Sequence, residues 1–216
     1  MTIKHHLSDE LLMGYAAGAL PEAFNLVIAT HISICDECRS RLASFDAVGG
    51  AVLEDCTEMA ISDDSLAATM ALIEREVPGS APIAVPSAMD DVLPEPLRSY
   101  VAGGVEDIAW RPIGGGVRQA ILETSGDATA RLFHIPAGCA VPDHGHQGTE
   151  VTLVLQGAFA DEDGRFARGD VEIADQDVHH TPVAEPGEDC ICLAVTDAPL
   201  RFNAFLPRVA QRFIRI

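Results

Sequence analysis

The chain has 216 residues, which is enough for one large domain or two small ones. Its formal charge of −19 at pH 7 disfavours direct binding to DNA or RNA, because like charges repel, and suits a basic protein partner. No window of about eighteen uncharged apolar residues exists, and the N-terminus lacks the apolar core of a signal peptide, so no membrane association is expected. The expected location is the cytoplasm. Proteins of this compartment rarely contain disulfides, so the six cysteines of the chain indicate metal or redox chemistry.

Residues 1–77 are predicted to form four short helices. Ser8 can cap the first helix, and Pro21 fits the first turn of the second. The third is expected to begin near Asp36 and to end at Gly49 and Gly50. The fourth has one apolar face, formed by Leu66, Met70, Ile73 and Val77. Helices this short bury little surface by themselves, so either these faces form an ordinary core or some of them wait for a partner.

The composition changes between residues 78 and 96, where five prolines occur together with glycine and serine. Such a segment predicts an extended linker. Beyond it, short apolar runs separated by turn signals predict an antiparallel sandwich or barrel. The predicted division is therefore a helical domain at residues 1–77, a linker at 78–96 and a β-domain at 97–216.

A metal site is predicted in the helical domain from the spacing His31-x3-Cys35-x2-Cys38. Zinc prefers four tetrahedral ligands that are thiolates or imidazoles, and this spacing brings three of them together at a corner between two helices. Candidates for the fourth ligand are two histidines near the N-terminus and, more weakly, one cysteine: His6, His5 and Cys56. A two-residue gap between cysteines also suits redox exchange, but the nearby histidine favours zinc.

A second metal site is predicted in the β-domain from the pattern Gly138-x5-His144-x-His146-x3-Glu150-x6-Gly157. Side chains alternate between the two faces of a strand, so the two histidines point the same way. The glutamate joins them if the chain turns after the second histidine. The alternative is a set of structural histidines in the interior of a barrel that holds no metal.

His180 is the candidate for a third histidine, supplied by a neighbouring strand. His179 competes with it, but adjacent residues of a strand point to opposite faces, so only one of them enters the interior. Three nitrogens and one oxygen would then come from His144, His146, Glu150 and His180. Such a ligand set suits zinc, iron, manganese or nickel.

These patterns resemble the two signature motifs of the cupin superfamily, which are small antiparallel β-barrels with a metal inside. The first motif matches at every specified position. The second, Gly169-x10-His180-x-Pro182, keeps the glycine and the histidine. It departs from the family pattern at Asp175, Asp177 and Ala184. The resemblance selects His180 rather than His179 as the ligand.

The helical motif, preceded by a histidine near the N-terminus, resembles the zinc-binding anti-sigma factors. Followed by a cupin motif, it resembles the ChrR-type anti-sigma factors over nearly the whole chain. The resemblance implies a two-domain α plus β fold, with a small zinc-binding four-helix N-terminal domain and a C-terminal cupin antiparallel β-barrel. It implies a structural Zn2+ in the N-terminal domain, held by His6, His31, Cys35 and Cys38. A second divalent metal, with Zn2+ favoured, is expected in the cupin domain.

The resemblance also implies a function, that of an anti-sigma factor. The helical domain would sequester an extracytoplasmic-function sigma factor, and the cupin domain would release it on an oxidative or photo-oxidative stress signal. The acidic chain suits a basic partner of this kind. The alternative is a cupin metalloenzyme of the dioxygenase or isomerase type with an N-terminal interaction domain. The tandem arrangement favours a regulator that is not an enzyme, because an enzyme has little need of an anti-sigma domain.

Cys190 and Cys192 lie one residue apart in an apolar strand and so share a face. A disulfide between them would be strained, and cysteine is commonly a small buried apolar residue. The alternative is an oxidant-sensing role, in which oxidation of the thiols would loosen the barrel or its metal.

Overall fold

A computed structural model describes residues 2–75, 91–101, 103–145, 147–176 and 178–199, together with the backbone of residues 201–202. Within this part of the chain, none of the helices has the length and the hydropathy that a membrane span requires. The predicted linker at residues 78–96 lies largely outside the described residues. The predicted domain boundaries therefore stay a prediction.

Four helices of eight residues or more form the N-terminal part: α1 (Asp9–Ala16), α2 (Glu22–Ile34), α3 (Asp36–Glu54) and α4 (Ser65–Glu74). The side chain of Ser8 caps α1 as expected, by accepting a hydrogen bond from a backbone N–H of the first turn. The expectation that α3 ends at Gly49 and Gly50 is wrong. Glycine costs a helix only about 1 kcal/mol, and α3 continues until the N–H of Asp55 bonds to the carbonyl of Ala51.

A short helix, α5 (Glu95–Arg98), and a 3-10 helix (Val105–Asp107) precede the strands. The described strands are β1 (Arg111–Gly114), β2 (Val117–Leu122), β3 (Thr129–Ile135), β4 (His144–Gly145), β5 (Glu150–Gln156), β6 (Ala158–Ala160), β7 (Arg165–Ala167), β8 (Val171–Ala174), β9 (His179–His180), β10 (Val183–Ala184), β11 (Cys190–Thr196) and β12 (Arg201–Phe202).

The strands form three antiparallel sheets. The largest has the order β1-β2-β3-β11-β5-β8, and the other two have the orders β10-β6-β7 and β12-β4-β9. The six-stranded sheet and the β10-β6-β7 sheet enclose an apolar cluster that includes Val154, Phe159, Phe166, Cys190 and Cys192. The predicted combination of a helical N-terminal part and an antiparallel β-barrel is confirmed.

The outer face of the six-stranded sheet is covered by the helical part. Strands β5 and β11 are buried on both faces, since their alternate residues point into the barrel and towards α2. On the outer face, Leu153, Leu193 and Val195 join Val27 and Ile28 of α2 in one apolar cluster. The helices and the barrel therefore share a core.

The chain segment before the barrel also packs on α2. Leu93 and Leu97 are completely buried there. Glu22 at the start of α2 accepts a hydrogen bond from the hydroxyl of Tyr100, with 2.7 Å between the oxygens, and another from the backbone N–H of Ser125, at 2.6 Å. These contacts join the start of α2 to the segment before the barrel and to the loop between β2 and β3.

Helix α4 behaves differently, because none of its residues is buried. Leu66 and Ile73 of its predicted apolar face are 73% and 70% exposed, and Met70 is also exposed. Val77 lies outside the described residues. In the described part of the chain, this face does not form an intramolecular core.

Candidate metal centres

The first candidate centre lies at the corner between α2 and α3. One donor atom from each of His6, His31, Cys35 and Cys38 lies within 4.8 Å of the other three. Nδ1 of His6 is 3.4 Å from Sγ of Cys35 and 3.6 Å from Sγ of Cys38. Bond lengths to zinc of about 2.0–2.3 Å place tetrahedral ligands roughly 3.3–3.8 Å apart, and these two distances fall within that range.

The helix corner itself brings the two sulfurs together. Cys35 ends α2 and caps α3, with its Sγ accepting a hydrogen bond from the backbone N–H of Cys38 at 3.5 Å. His31 lies in the last turn of α2, one turn before Cys35. The sequence spacing therefore positions three of the four side chains locally.

Burial determines the protonation of these groups. His31 is completely buried, and burial, together with His6, lowers its pKa to about 4, which leaves the imidazole neutral at pH 7. The backbone of Gly169 favours the protonated form of the His31 ring. Neither nitrogen of this ring, however, makes a hydrogen bond of good geometry within the described residues. A buried polar atom without a partner costs about 1–3 kcal/mol, and a bound cation would remove that cost. The donor set fits a metal ion.

Charged side chains surround this cluster. Nε2 of His6 lies 3.3 Å from a carboxylate oxygen of Glu37. Arg41 forms an ion pair with Asp9 and donates a hydrogen bond to the carbonyl of Leu7 at 3.0 Å. A carboxylate on the second nitrogen of a histidine fixes the orientation of the ring and raises its basicity. The sequence analysis missed Glu37 and Arg41, although Arg41 follows Cys38 by one helical turn and could have been found from that spacing.

The other two candidates for the fourth ligand lie elsewhere. Nδ1 of His5 is 3.7 Å from a carboxylate oxygen of Asp170 in the barrel. Cys56 is exposed at the end of α3. The structure therefore brings His6, and neither of these two, to the cluster.

The second candidate centre lies in the barrel. Donor atoms of His144, Glu150 and His180 lie within 4.8 Å of one another, and all three side chains are buried. Strands β4 and β9 pair with His144 opposite His180, which places their Nε2 atoms 3.2 Å apart. His146 lies outside the described residues. His179 is exposed, as its position on the opposite face requires.

Hydrogen bonds at Nδ1 orient both histidines. Nδ1 of His144 donates to the carbonyl of Pro142 at 3.0 Å, because a carbonyl can only accept. Nδ1 of His180 donates to carboxylate oxygens of Asp161 and Glu172, each at 2.9 Å. This arrangement directs both Nε2 atoms towards the centre and is typical of histidines that bind metals.

The carboxylates also determine the charge of this centre. Burial acts to lower the pKa of His180, but the carboxylates of Glu172 and Asp161 outweigh it and raise that pKa to about 9. Burial raises the pKa of Glu172 to about 7 and lowers the pKa of His144. The sequence analysis missed both carboxylates. Glu172 could have been found, because a charged residue within a short apolar strand indicates a functional role. No feature of the sequence distinguishes Asp161.

Cys190 and Cys192 line the apolar cluster inside the barrel, and both are buried. The neighbouring Cys190 thiol and burial raise the pKa of Cys192 well above its usual value. A thiol in this state is a poor nucleophile, so the geometry favours a structural role.

Comparison with known proteins decides the family. The description of the matching family model is "ChrR Cupin-like domain", and the match covers residues 99–199. Over all 216 residues, the chain is 60% identical to the anti-sigma-E factor ChrR of Cereibacter sphaeroides, and it covers that protein completely. This chain belongs to the ChrR family of anti-sigma factors. The predicted resemblance to the ChrR family is thereby confirmed.

A solved structure of the ChrR family is also similar. The crystal structure of Rhodobacter sphaeroides SigE in complex with the anti-sigma ChrR matches with a TM-score of 0.80 and 57% sequence identity. The match covers 91% of this chain and 100% of the other. The ChrR fold therefore extends over the helical part and the barrel.

Proposed function

We propose that this chain is an anti-sigma factor that binds and sequesters a sigma factor of the extracytoplasmic-function class. The observation that carries this proposal is the 60% identity to the anti-sigma-E factor ChrR over the full length of both chains. The charge of −19 supports it, because a sigma factor is a basic DNA-binding partner. The chain is a regulator and not an enzyme, and we expect it in the cytoplasm, where sigma factors bind RNA polymerase.

The sigma factor binds, in this proposal, to the exposed apolar side chains of α4 and of the second half of α3. These side chains, which we call the α3–α4 apolar surface, are Val48, Val52, Leu53, Leu66, Met70, Leu72 and Ile73. So many large apolar side chains exposed on two successive helices are typical of a protein-binding surface. The absence of any buried residue in α4 supports this role.

The role that we assign to the first centre is structural. Zn2+ would be held by His6, His31, Cys35 and Cys38, and a set of four protein ligands leaves no open position for catalysis. When bound, the metal ties the N-terminal segment to the α2–α3 corner. Much of the folding free energy of the helical part then depends on metal binding.

The second centre belongs to a sensor in this proposal. A second divalent metal, with Zn2+ favoured, would be held by His144, His146, Glu150 and His180. The orientation of His144 and His180 supports metal binding, and the packing of α2 on the barrel offers a route from the barrel to the helical part. The signal would be oxidative or photo-oxidative stress, on which the sigma factor is released.

A transcription assay with purified sigma factor and RNA polymerase tests the proposal. We expect the zinc-loaded chain to inhibit transcription. The double variant Cys35→Ser, Cys38→Ser should lose inhibition, because it removes two of the four ligands and unfolds the helical part. Cys56→Ser is the matched control and should inhibit normally, since Cys56 is exposed and distant from the cluster. Full inhibition of transcription by a metal-free double variant would contradict the proposed role of zinc.

A further inference from the structure

The N-terminal segment that leads to His6 lies against the turn between β7 and β8 of the barrel. Asp170 in this turn is 3% exposed. Its Oδ1 accepts hydrogen bonds from the backbone N–H groups of Lys4, at 2.6 Å, and His5, at 3.0 Å. Its Oδ2 accepts one from the N–H of Ala167 at 2.9 Å. One buried carboxylate therefore joins the N-terminal segment to the barrel.

Three further contacts strengthen this junction. The N–H of Val171 donates to the carbonyl of His5 at 3.2 Å, and the imidazole of His5 lies 4.5 Å from the ring of Phe166 between centroids. The side chain of Ile3 covers Gly169, where an added Cβ would come within 2.8 Å of it. Gly169 has a φ of 90°, so other residues would be strained there. We call these contacts, together with those of Asp170, the β8 clasp.

Strand β8 and the residue before it link the N-terminal segment to the second candidate centre. Asp170 directly precedes the strand and holds the backbone next to His6. Two residues further along, the carboxylate of Glu172 accepts a hydrogen bond from Nδ1 of His180 at 2.9 Å. A displacement of this strand at the barrel centre would therefore reach the segment that carries His6.

We propose that Asp170 is a positioning residue for the zinc site of the helical part. By holding Lys4 and His5, the β8 clasp fixes His6 against Cys35 and Cys38, whereas the other three ligands are placed by the α2–α3 corner. Retention of the metal in the helical part then depends on the barrel, and a change at β8 loosens His6 first. This inference rests on the zinc site of the proposed function and names the route by which the barrel regulates it.

The test uses the full-length protein loaded with Co2+. Thiolate-to-cobalt absorption reports on the first centre alone, since no cysteine belongs to the second. Asp170→Asn keeps the shape of the side chain but replaces one acceptor oxygen by a donor, so the turn loses either the hydrogen bond from Ala167 or the two from Lys4 and His5. Ile3→Ala weakens the β8 clasp from the side of the N-terminal segment and leaves the barrel turn unchanged.

With both variants, we expect cobalt to be lost to an excess of chelator about tenfold faster than from the wild type. Asp189→Asn is the matched control. Asp189 also accepts a backbone hydrogen bond within the barrel, from Ala137 at 2.9 Å. It makes no contact with the N-terminal segment among the described residues, so this variant should release cobalt at the wild-type rate.

Wild-type rates in both variants would overturn the inference. Faster loss in Asp170→Asn alone, with Ile3→Ala at the wild-type rate, would also overturn it, because the effect would then come from the barrel turn. A wild-type chain that shows no thiolate-to-cobalt absorption would contradict the proposed zinc site itself. That outcome is therefore distinguishable from failure of the β8 clasp.

Discussion

His180 shows at the scale of a single residue how the barrel orients a candidate metal ligand. Its imidazole is 1% exposed and is held at Nδ1 by two carboxylates, Asp161 and Glu172. Their negative charge more than offsets the cost of burying the ring, as the raised pKa of His180 indicates. A divalent cation facing Nε2 would be held by a ring whose position is already fixed.

The substitution Glu172→Gln tests this arrangement. We expect it to weaken metal binding in the barrel by about 10–100-fold, the usual effect of removing a partner of a metal-binding histidine. Competition with a chromophoric chelator measures the affinity. Glu188→Gln, at an exposed position, is the control and should bind as the wild type does. Equal affinity in all three proteins would show that Glu172 does not support the metal.

The two centres differ in how far the sequence predicts them. His31, Cys35 and Cys38 lie within eight residues across one helix corner, so their meeting follows from local geometry. Asp161, Glu172 and Asp170 act through contacts with distant parts of the chain. Those contacts depend on strand register and on how the helices pack on the barrel. Neither can be derived from the spacing of residues along the sequence.

At the scale of elements, α2 is the helix that connects the two parts of the molecule. Its buried side chains pack on β5 and β11, and Glu22 at its start bonds to Tyr100 and Ser125. Hydrogen bonds from Ser125 and Tyr100 lower the pKa of Glu22 from 4.5 to about 2. The carboxylate is therefore a pH-dependent contact between α2 and the barrel.

The pH dependence of stability tests this contact. The folded-state pKa of Glu22 is depressed. Its contribution to the stability of the fold is therefore complete above pH 4.5 and is lost as the pH falls through about 2. We expect the wild type to have a higher urea midpoint than Glu22→Gln near neutral pH. This difference in midpoint should shrink towards zero in acid, as the carboxylate of the wild type becomes protonated. A difference that is constant, or that grows in acid, would contradict this assignment.

Helix α4 contrasts with α2, since its apolar residues face the solvent. The sequence predicted its apolar face but left open whether that face forms an ordinary core. Only the arrangement of the other helices answers the question, because α1, α2 and α3 pack together and α2 packs on the barrel.

The double variant Leu66→Ser, Ile73→Ser tests the α3–α4 apolar surface. We expect it to bind the sigma factor at least about tenfold more weakly, because burying one such side chain is worth about 1.5–3 kcal/mol. Its unfolding midpoint should not fall, since both residues are exposed. Ala68→Ser in the same helix is the control. Unchanged affinity, measured by calorimetry, would place the binding surface elsewhere.

At the scale of the whole molecule, the helical part and the barrel share one apolar core. The sequence contained a signal for this, because β11 is apolar at six of its seven positions, as a strand covered on both faces is. A barrel exposed to water on its outer face would show alternation instead. The sequence analysis predicted both parts but not the surface between them.

Metal removal tests the dependence of this assembly on its first centre. We expect a strong chelator to lower the melting temperature of the full-length chain and to increase hydrogen exchange in α1–α3. The Cys35→Ser, Cys38→Ser variant should already melt at the lower temperature and should not respond to chelator in this region. A wild-type helical part that keeps its protection without metal would contradict a structural role.

The most direct measurement is hydrogen–deuterium exchange of the zinc-loaded, full-length chain with and without the sigma factor. If the chain is an anti-sigma factor that binds through its helices, protection will appear in α4 and in the second half of α3, where the apolar side chains are exposed. The outer strands of the barrel will exchange as before. Protection confined to the barrel, or no protection at all, would contradict the proposed mode of sequestration.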